Sequence, residues 1–309
     1  MSDTLIDAPV VTTAATPAPA TGPESSRPFL VGLVGTGVGP SLTPPLHMAE
    51  AEALGLGYVY RTVDLTERGI DPARIGEVLR WARDLGFDAL NVTHPCKQLV
   101  LPHLDAVDPV AAALGAVNTV LFTPQGTVGH NTDTTGFEAA LRSELDDAPR
   151  GRVVLVGAGG AGSAVADALL RCGTALLTVV DVDAGRAQDL AGALARRHGR
   201  AVDAASSAAL TDLVPAADGV VHCTPVGMAE HPGTAFDVAL LRPTTWVADV
   251  VYRPLETELL LGARAAGCRT LDGGHMAVHQ AVGAFELITG HRPDAARMLA
   301  HLRALVRTP

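Results

Sequence analysis

The chain has 309 residues, which is enough for two domains or for one large one. Its net charge of -10, from 23 basic and 33 acidic residues, comes without a basic run, which argues against nucleic acid or an anionic membrane surface as a partner. No apolar stretch is long enough to span a membrane, and the N-terminus lacks the pattern of a secretory signal. The 4 cysteines and 11 histidines are scattered without metal-ligand spacing, so we expect a cytoplasmic protein with reduced thiols and no metal site.

The first part of the chain is predicted to be a disordered tail over residues 1–27, because it is rich in Ala, Thr, Pro and Ser. Order is expected to begin with a strand at Phe29–Gly35. The glycines that follow imitate a nucleotide-binding loop, but a proline comes next and 41–45 is not expected to continue as a helix. Ser41 and Thr43, two hydroxyls beside free backbone N–H groups, can hold a small carboxylate, and a turn before a helix N-cap is the alternative.

A lysine stands just past a predicted strand end. Strands are expected at 58–63 and 89–92, with a helix at 75–85 between them. Lys97 follows the second of these strands, at the edge where α/β sheets bind ligands, although a solvated surface charge is the alternative. The pattern then predicts a helix at 105–114, strands at 116–122 and 127–129 around a turn, and a helix at 136–145.

Residues 153–162 combine a short apolar strand with a glycine-rich turn. Gly157, Gly159 and Gly162 match G-x-G-x-x-G, and an Ala/Leu-rich helical run follows at 163–172. Gly157 is expected to make the tight turn, Gly159 to let the backbone approach a pyrophosphate, and Gly162 to let helix and strand pack closely. The phosphates would bind at the N-terminus of that helix.

A second apolar strand, at 176–180, ends in Asp181, which lies 24 positions after Gly157. A carboxylate at this place binds the adenosine ribose hydroxyls in dinucleotide-binding folds. Strand, loop, helix, strand and acid in register predict a dinucleotide cofactor, with a glycine-rich packing turn as the alternative.

The rest of the chain continues the alternation of strands and helices. The pattern predicts helices at 186–198, 256–266, 276–288 and 293–306, strands at 219–222, 246–251 and 269–271, and an exposed Ala/Ser-rich stretch at 203–210. The fold class is therefore α/β, with two open α/β domains and a cleft between them. We expect a first domain over 28–130 with 276–309 and a Rossmann-type dinucleotide domain over 131–275.

Seven short motifs stand in order along the chain: SLTP at 41–44, NVTHPCK at 91–97, AVNT at 116–119, GHNTD at 129–133, TPVGM at 224–228, DVVY at 249–252 and MAVHQ at 276–280. Together they resemble the motifs of the shikimate dehydrogenase family, including its quinate/shikimate branch, over residues 29–305. The resemblance implies an N-terminal substrate-binding domain and an oxidoreductase that moves a hydride between a hydroxyl group and a nicotinamide.

The same resemblance implies the roles of single residues. Lys97 and Asp133 would be catalytic. The substrate, a small cyclic hydroxy acid, would be bound by Ser41, Thr43, Thr93, Asn118, Tyr252 and Gln280. The cofactor would be bound by Gly157, Ala158, Gly159, Gly160, Ala161, Asp181, Arg186, Thr224, Pro225, Val226, Met228, Val251 and Gly274.

The residues at the end of the second nucleotide-domain strand favour NAD over NADP. NADP-dependent members of the family usually carry Asn-Arg-Thr there, whereas this chain has Asp181-Val182-Asp183. Two carboxylates would repel a 2′-phosphate, although Arg186 lies close enough in sequence to reach one. A surface position in the first turn of the next helix is the alternative for Arg186.

Oxidising a secondary alcohol requires loss of the hydroxyl proton, and charge developing on the oxygen needs a nearby cation or donor. Lys97 and Asp133 are suited to this, and which of the two takes the proton stays open. The predicted function is NAD-dependent oxidation of quinate or shikimate at the C3 hydroxyl.

The alternatives are an NADP-dependent biosynthetic enzyme, a dehydrogenase of another cyclitol, and a non-catalytic dinucleotide-sensing regulator. A homodimer is possible. His275 stands near the expected nicotinamide site, where packing is favoured over a catalytic role.

Overall fold

The computed structural model describes residues 27–307, so nearly all of the predicted tail lies outside the described residues. These residues form two compact units. The first unit runs to Thr132 and also contains Gly283–Asp294, and the second contains Asp133–Val282 and the chain after Asp294. The predicted first domain instead takes all of 276–309, so the two divisions differ over residues 276–282 and in the last helix.

The first unit is a six-stranded sheet with helices. Strand order is β2-β1-β3-β5-β6-β4, with β1 parallel to β2 and β3, and with β5 antiparallel to β3 and β6. Its elements are β1 (Phe29–Gly35), α1 (Thr43–Ala53), β2 (Tyr58–Asp64), α2 (Ile75–Asp84), β3 (Ala89–Val92), α3 (Cys96–Leu99), β4 (Ala106–Val107), α4 (Pro109–Leu114), β5 (Thr119–Thr123) and β6 (Gly126–His130).

The second unit is a parallel six-stranded sheet in the order β12-β11-β10-β7-β8-β9. This is the doubly wound order of dinucleotide-binding folds, with β7 as its first strand. Its elements are α5 (Thr132–Leu145), β7 (Arg152–Val156), α6 (Gly160–Arg171), β8 (Leu176–Asp181), α7 (Ala184–His198), β9 (Asp203–Ser206), α8 (Leu210–Ala216), β10 (Gly219–His222), β11 (Trp246–Asp249), α9 (Glu258–Ala265), β12 (Arg269–Leu271), α10 (Gly273–Thr289) and α11 (Ala295–Arg307). The first residue of α5, Thr132, and the end of α10 from Gly283 onward belong to the first unit.

Apolar spacing explains how these elements pack. Four residues of α2 at helical spacing, Ile75, Val78, Leu79 and Ala82, are buried against the first sheet. The four inner strands of the second sheet, β7, β8, β10 and β11, are buried on both faces, as expected where helices cover a parallel sheet. Each unit is therefore α/β, and the predicted fold class is confirmed.

Several predicted elements need correction. Residues 41–45 do enter a helix, because Pro44 and Pro45 occupy the first turn of α1, where a missing N–H group costs nothing. The predicted helix at 105–114 is a short strand followed by α4, which begins after Asp108. The Asp108 carboxylate caps α4 by accepting the N–H groups of Val110 and Ala111 at 2.8 and 3.2 Å.

In the second unit the corrections concern the ends of helices and one edge strand. The exposed stretch at 203–210 contains β9, which adds to β8 at the edge of the sheet, and α8 follows it without having been predicted. Helix α5 begins four residues before the predicted 136, and α10 begins at Gly273. Within residues 27–307 no helix is long and apolar enough to cross a membrane.

Candidate active site

The loop after β1 is held by a carboxylate of its own chain. Asp64, the last residue of β2, accepts the backbone N–H groups of Gly37, Val38 and Gly39 at 3.2, 2.7 and 3.3 Å. Burial raises the pKa of Asp64, but these donors and two further N–H groups outweigh it, so the pKa is lowered overall. The glycine-containing loop after β1, whose sequence is like that of a nucleotide-binding loop, therefore binds the Asp64 carboxylate of its own chain.

This arrangement corrects the expectation of free N–H groups beside Ser41 and Thr43. The N–H group of Ser41 donates to the Val38 carbonyl at 3.1 Å. The N–H group of Thr43 donates to the Ser41 hydroxyl oxygen at 3.3 Å. Both side chains are half-buried at the start of α1. A carboxylate there would be bound by hydroxyl groups and by the N-terminal turn of the helix rather than by the preceding loop.

The segment that carries Thr93 and Lys97 leaves the same sheet edge as this loop. Strands β1 and β3 are parallel neighbours, with Val34 opposite Val92. The N–H group of Thr36 donates to the His94 carbonyl at 3.0 Å, which joins the two loops. Lys97 is the second residue of α3 and half-buried, and its carbonyl accepts the Val117 N–H group at 2.8 Å. The structure therefore gathers Ser41, Thr43, Thr93 and Lys97 at one edge of the first unit.

Asn118 joins this edge to the start of α5. Its side-chain oxygen accepts the N–H group of Thr132 at 2.9 Å, and its NH2 group donates to the Thr132 hydroxyl at 2.9 Å. Both residues are buried. Asn118 thus satisfies an N–H group that the first turn of a helix cannot pair internally, which explains why α5 begins at Thr132.

A series of buried, hydrogen-bonded side chains leads to Asn118. The Tyr60 hydroxyl donates to the side-chain oxygen of Asn91 at 2.5 Å, and the Asn91 NH2 group donates to Thr119 at 2.9 Å. Thr119 in turn donates to the side-chain oxygen of Asn118 at 3.0 Å. No sequence pattern marks Tyr60 and Asn91 as partners, because their pairing depends on the neighbouring positions of β2, β1, β3 and β5 in the sheet.

Asp133 directly follows Thr132 and is 8% exposed. It lies in the first turn of α5, where the positive end of the helix dipole favours a carboxylate. The Asn118 contacts fix the residue at which this helix begins, and so the position of Asp133 on it.

In the second unit, the glycine-rich turn after β7 has the predicted geometry. Gly157 has a φ of +110°, a conformation that strongly favours glycine. A Cβ atom at Gly162 would collide with the Gly157 carbonyl, so this glycine allows the close packing of helix and strand. A Cβ atom at Gly159 or Gly160 would meet nothing within 4 Å. This open space before the N-terminus of α6 fits the pyrophosphate of a dinucleotide.

Asp181 ends β8 beside this turn. Its carboxylate accepts the Ala158 N–H group at 2.7 Å and the Asp183 N–H group at 2.9 Å, and it pairs with the Arg186 guanidinium at 3.0 Å. Burial raises the pKa of Asp181, but these donors outweigh it and the pKa is lowered, so the carboxylate is ionised at neutral pH. Arg186 also lies 3.6 Å from the Asp183 carboxylate and is therefore shared between two acids.

The loop from Thr224 to Met228 follows β10. The Thr224 hydroxyl accepts the Val226 N–H group at 3.2 Å. Gly157 packs against this loop, because a Cβ atom there would lie 2.7 Å from the Cys223 carbonyl oxygen. The glycine-rich turn and the loop that starts at Thr224 thus adjoin at one edge of the second sheet. Pro225 and Met228 are exposed on the loop.

The remaining predicted residues also lie in the second unit. Burial raises the pKa of Tyr252, so its half-buried phenol stays protonated at neutral pH. The NH2 group of Gln280 donates to the Ala277 carbonyl of its own helix at 3.0 Å. Gly274 donates its N–H group to Asp272 at 3.0 Å, and His275 pairs with the same carboxylate at 3.0 Å. This pairing gives His275 a structural role, which favours the packing alternative.

Comparisons with known proteins agree with this geometry. The model of the shikimate dehydrogenase substrate binding domain matches residues 33–120, and that of the shikimate 5′-dehydrogenase C-terminal domain matches residues 275–303. A shikimate dehydrogenase (NADP(+)) of Streptomyces avermitilis is 57% identical over 91% of this chain and 97% of its own length. The chain belongs to the shikimate dehydrogenase family.

Two further members of the family carry a different name. A quinate/shikimate dehydrogenase (NAD(+)) of Corynebacterium efficiens is 52% identical over 90% of this chain and 98% of its own length. The solved structure of quinate dehydrogenase from Corynebacterium glutamicum in complex with NAD is 49% identical, covers 90% of this chain and 99% of its own, and has a TM-score of 0.86. Family membership makes the chain a nicotinamide-dependent oxidoreductase that acts on a CH–OH group.

Proposed function

We propose that this chain catalyses the reversible NAD-dependent oxidation of the C3 hydroxyl of quinate or shikimate to the corresponding 3-dehydro acid. The observation that carries the choice of cofactor is the Asp181–Arg186–Asp183 cluster. Arg186 is already paired with both carboxylates, at 3.0 and 3.6 Å. A 2′-phosphate would therefore meet two acids and an arginine whose charge is compensated, whereas ribose hydroxyls can donate to Asp181.

The substrate assignment rests on the residues at the edge of the first unit. Ser41 and Thr43 offer hydroxyl groups to the carboxylate of the acid, and Thr93 and Asn118 offer donors and acceptors to its ring hydroxyls. The family resemblance adds Tyr252 and Gln280 to the residues that bind the substrate. Quinate and shikimate both carry a carboxylate and several ring hydroxyls. Relatives named for both acids support a substrate of this class.

The chemistry assigns separate tasks to the cofactor and to the chain. The nicotinamide, when bound, supplies the site that accepts or donates the hydride. Gly157–Ala161, Asp181, Thr224–Val226, Met228, Val251 and Gly274 would hold the dinucleotide. Lys97 and Asp133 hold the reacting hydroxyl and move its proton, and the ammonium of Lys97 stabilises charge that develops on the oxygen.

Calorimetric binding of NAD and NADP tests the cofactor assignment. We expect tighter binding of NAD to the wild-type protein. Asp181→Asn removes one carboxylate and frees Arg186 in part, so we expect the ratio of the Kd for NADP to the Kd for NAD to fall about 10-fold. Asp189→Asn, at an exposed position of α7, is the matched control and should leave the ratio unchanged. Tighter binding of NADP by the wild-type protein contradicts the proposal.

The second candidate is NADP-dependent reduction of 3-dehydroshikimate. The observation that favours it is the 57% identity to the Streptomyces avermitilis enzyme, which is named for NADP. In that case Arg186 would have to leave Asp181 and bind the 2′-phosphate. Arg186→Ala distinguishes the two candidates, because it should weaken NADP binding at least 10-fold under the second and leave NAD binding within about threefold under the first.

A further inference from the structure

A histidine and an aspartate stand side by side at the ends of β10 and β11. The two strands are parallel neighbours, with His222 opposite Asp249 in register. The imidazole Nδ1 lies 2.9 Å from the Asp249 carboxylate, and both side chains are buried, at 1% and 0% exposed. On its other side, the imidazole Nε2 lies 2.5 Å from the Thr224 hydroxyl oxygen. The three residues thus form one hydrogen-bonded line.

The partners of Asp249 determine which nitrogen of His222 carries the proton. Its carboxylate also accepts the Thr257 hydroxyl at 2.7 Å and the Val251 N–H group at 3.0 Å, so it acts as an acceptor throughout. An ionised carboxylate has no proton to donate, and Nδ1 must therefore be the donor. In the neutral imidazole Nε2 is then an acceptor, and the Thr224 hydroxyl donates to it.

The direction of this hydrogen bond determines which further hydrogen bonds the Thr224 hydroxyl can make. Its proton points to His222, and one lone pair accepts the Val226 N–H group at 3.2 Å. Its second lone pair can face a ligand, so Thr224 offers an acceptor outward. If His222 takes a second proton, Nε2 becomes a donor and the Thr224 proton must turn away from it. Thr224 would then offer a donor outward, and its interaction with the same ligand would be lost.

No other charged group of the described residues faces this imidazole from the strands beside it. Strand β7, on the other side of β10, places Val156 opposite His222. The neighbouring Cys223 is buried, and burial together with Asp249 holds the pKa of its thiol well above the usual range, so it stays neutral. Asp249 is therefore the charged group that faces His222 from these strands.

We propose that His222 is a positioning residue that, as a neutral imidazole held by Asp249, fixes Thr224 as an acceptor for the bound dinucleotide. The proposal rests on the proposed function in one respect, namely that the loop from Thr224 to Met228 binds the cofactor. The Asp249 carboxylate connects His222 to Val251, whose N–H group it accepts, and to Thr257 at the start of α9, whose hydroxyl it accepts. Thr257 in turn accepts the Leu260 N–H group of α9. Nothing in the sequence pattern marked His222, because its partner lies 27 residues away on the next strand.

Nuclear magnetic resonance of protein labelled with ¹⁵N-histidine tests the hydrogen-bonded line in the wild-type protein, without any variant. We expect the His222 signal to show a protonated Nδ1 and an unprotonated Nε2 at neutral pH. Assignment follows from the loss of that signal in His222→Gln. A protonated Nε2 at neutral pH overturns the proposal.

Binding of NAD over a range of pH tests the role of the hydrogen-bonded line of Asp249, His222 and Thr224. Protonation of His222 should weaken the binding of NAD, because Thr224 would then offer a donor in place of an acceptor. His222→Asn keeps a donor near Asp249 and loses the contact with Thr224, so we expect Kd for NAD to rise about 5- to 10-fold at neutral pH, with this part of the pH dependence removed. His301→Asn, on α11, is the control and should keep the wild-type profile.

The outcomes separate this proposal from the cofactor assignment. An unchanged Kd and pH profile in both His222→Asn and His222→Gln overturns the role of His222 while leaving NAD as the cofactor. Binding of NADP in place of NAD contradicts the cofactor assignment, and the same variants then test His222 with NADP. A melting temperature near that of the wild type shows that the variants are folded. A drop in affinity without a change of pH profile indicates a merely structural role and also overturns the proposal.

Discussion

In each unit, an aspartate at the end of a strand determines how many N–H groups of the neighbouring glycine-containing loop remain for an outside anion. Asp64 ends β2 and Asp181 ends β8, and each accepts N–H groups of the glycine-containing loop that follows the neighbouring strand. Asp64 takes three N–H groups of its loop, so that loop is closed to an outside anion. Asp181 takes only that of Ala158 from its loop, and the first turn of α6 stays open for phosphate.

At the residue scale, Lys97→Ala tests the catalytic assignment. Removing the ammonium should lower kcat by a factor of about 100 to 10,000, because both proton transfer and charge stabilisation are lost. Kd for NAD should be unchanged, since the predicted cofactor residues lie in the second unit. Stopped-flow or steady-state rates together with calorimetry measure both quantities. Gln98→Ala, an exposed neighbour on α3, is the control. Turnover within a few-fold of the wild type would favour a sensing role.

The lowered pKa of Asp64 gives a second prediction at this scale. A carboxyl group whose pKa is lowered on folding contributes stability above its unfolded pKa of about 3.9, and this contribution is lost as pH falls through the folded value. Asp64→Asn should therefore lower the free energy of unfolding at pH 7, and the difference from the wild type should shrink below about pH 4. Urea denaturation at several pH values measures this. A difference that stays constant down to about pH 3 contradicts it, and Asp84→Asn, at an exposed site, should show no such difference.

At the scale of elements, the prediction succeeded where the signal is local. The bounds of β1, β3, β10 and β12 agree with the predicted strands to the residue. The first three of these strands are apolar or glycine-containing runs between turn residues. The beginning of α5 was missed because its first N–H group is satisfied by Asn118, 14 residues upstream. Strand β9 was missed because its exposed Ala and Ser residues carry no strand pattern, and only its pairing with β8 makes it a strand.

Asn118→Ala tests the role of that residue in starting α5. The substitution leaves the Thr132 N–H group buried without its acceptor, so we expect the free energy of unfolding to fall by about 2 to 3 kcal/mol. The position of Asp133 is disturbed as well, so kcat should also fall. Urea denaturation and initial rates measure the two effects. Asn118→Asp keeps an acceptor and should lose less stability. If Asn118→Ala loses activity alone, like Lys97→Ala, then Asn118 acts only on substrate.

At the scale of the whole molecule, the alternation of strands and helices predicted two α/β units but not their strand order. The two strands predicted around a turn are the antiparallel pair β5 and β6, but the sequence could not show that this pair lies between β3 and β4 in the first sheet. It also assigned the last helix to the first domain. In the structure α11 belongs to the second unit, where Leu302 packs near Gly274 and Arg303 lies 4.0 Å from Asp272.

The motifs predict the residues of the candidate site without knowledge of the fold, since they need only local order in the sequence. The residues that support the site were not found, because Asp64, Asn91 and His222 meet their partners across neighbouring strands. A pair of residues on two strands can be predicted only when the order and register of the strands are known.

Hydrogen exchange tests the assignment of ligands to the two units. NAD should slow amide exchange at 157–163 and 223–228, because these segments form the predicted dinucleotide site. Shikimate should slow exchange at 36–43 and 93–99 in the first unit. Exchange in the edge strand β9 should not change with either ligand, which makes it an internal control. Protection of the first-unit segments by NAD alone would contradict the assignment.

The most direct test of the account is the initial rate of the purified protein with quinate or shikimate, each with NAD or NADP. The account predicts a kcat/KM for NAD at least about 10-fold above that for NADP, because the Asp181–Arg186–Asp183 cluster disfavours a 2′-phosphate. It also predicts that quinate and shikimate are oxidised at comparable rates. A strong preference for NADP with shikimate as the only acid accepted would contradict both the cofactor and the substrate assignments.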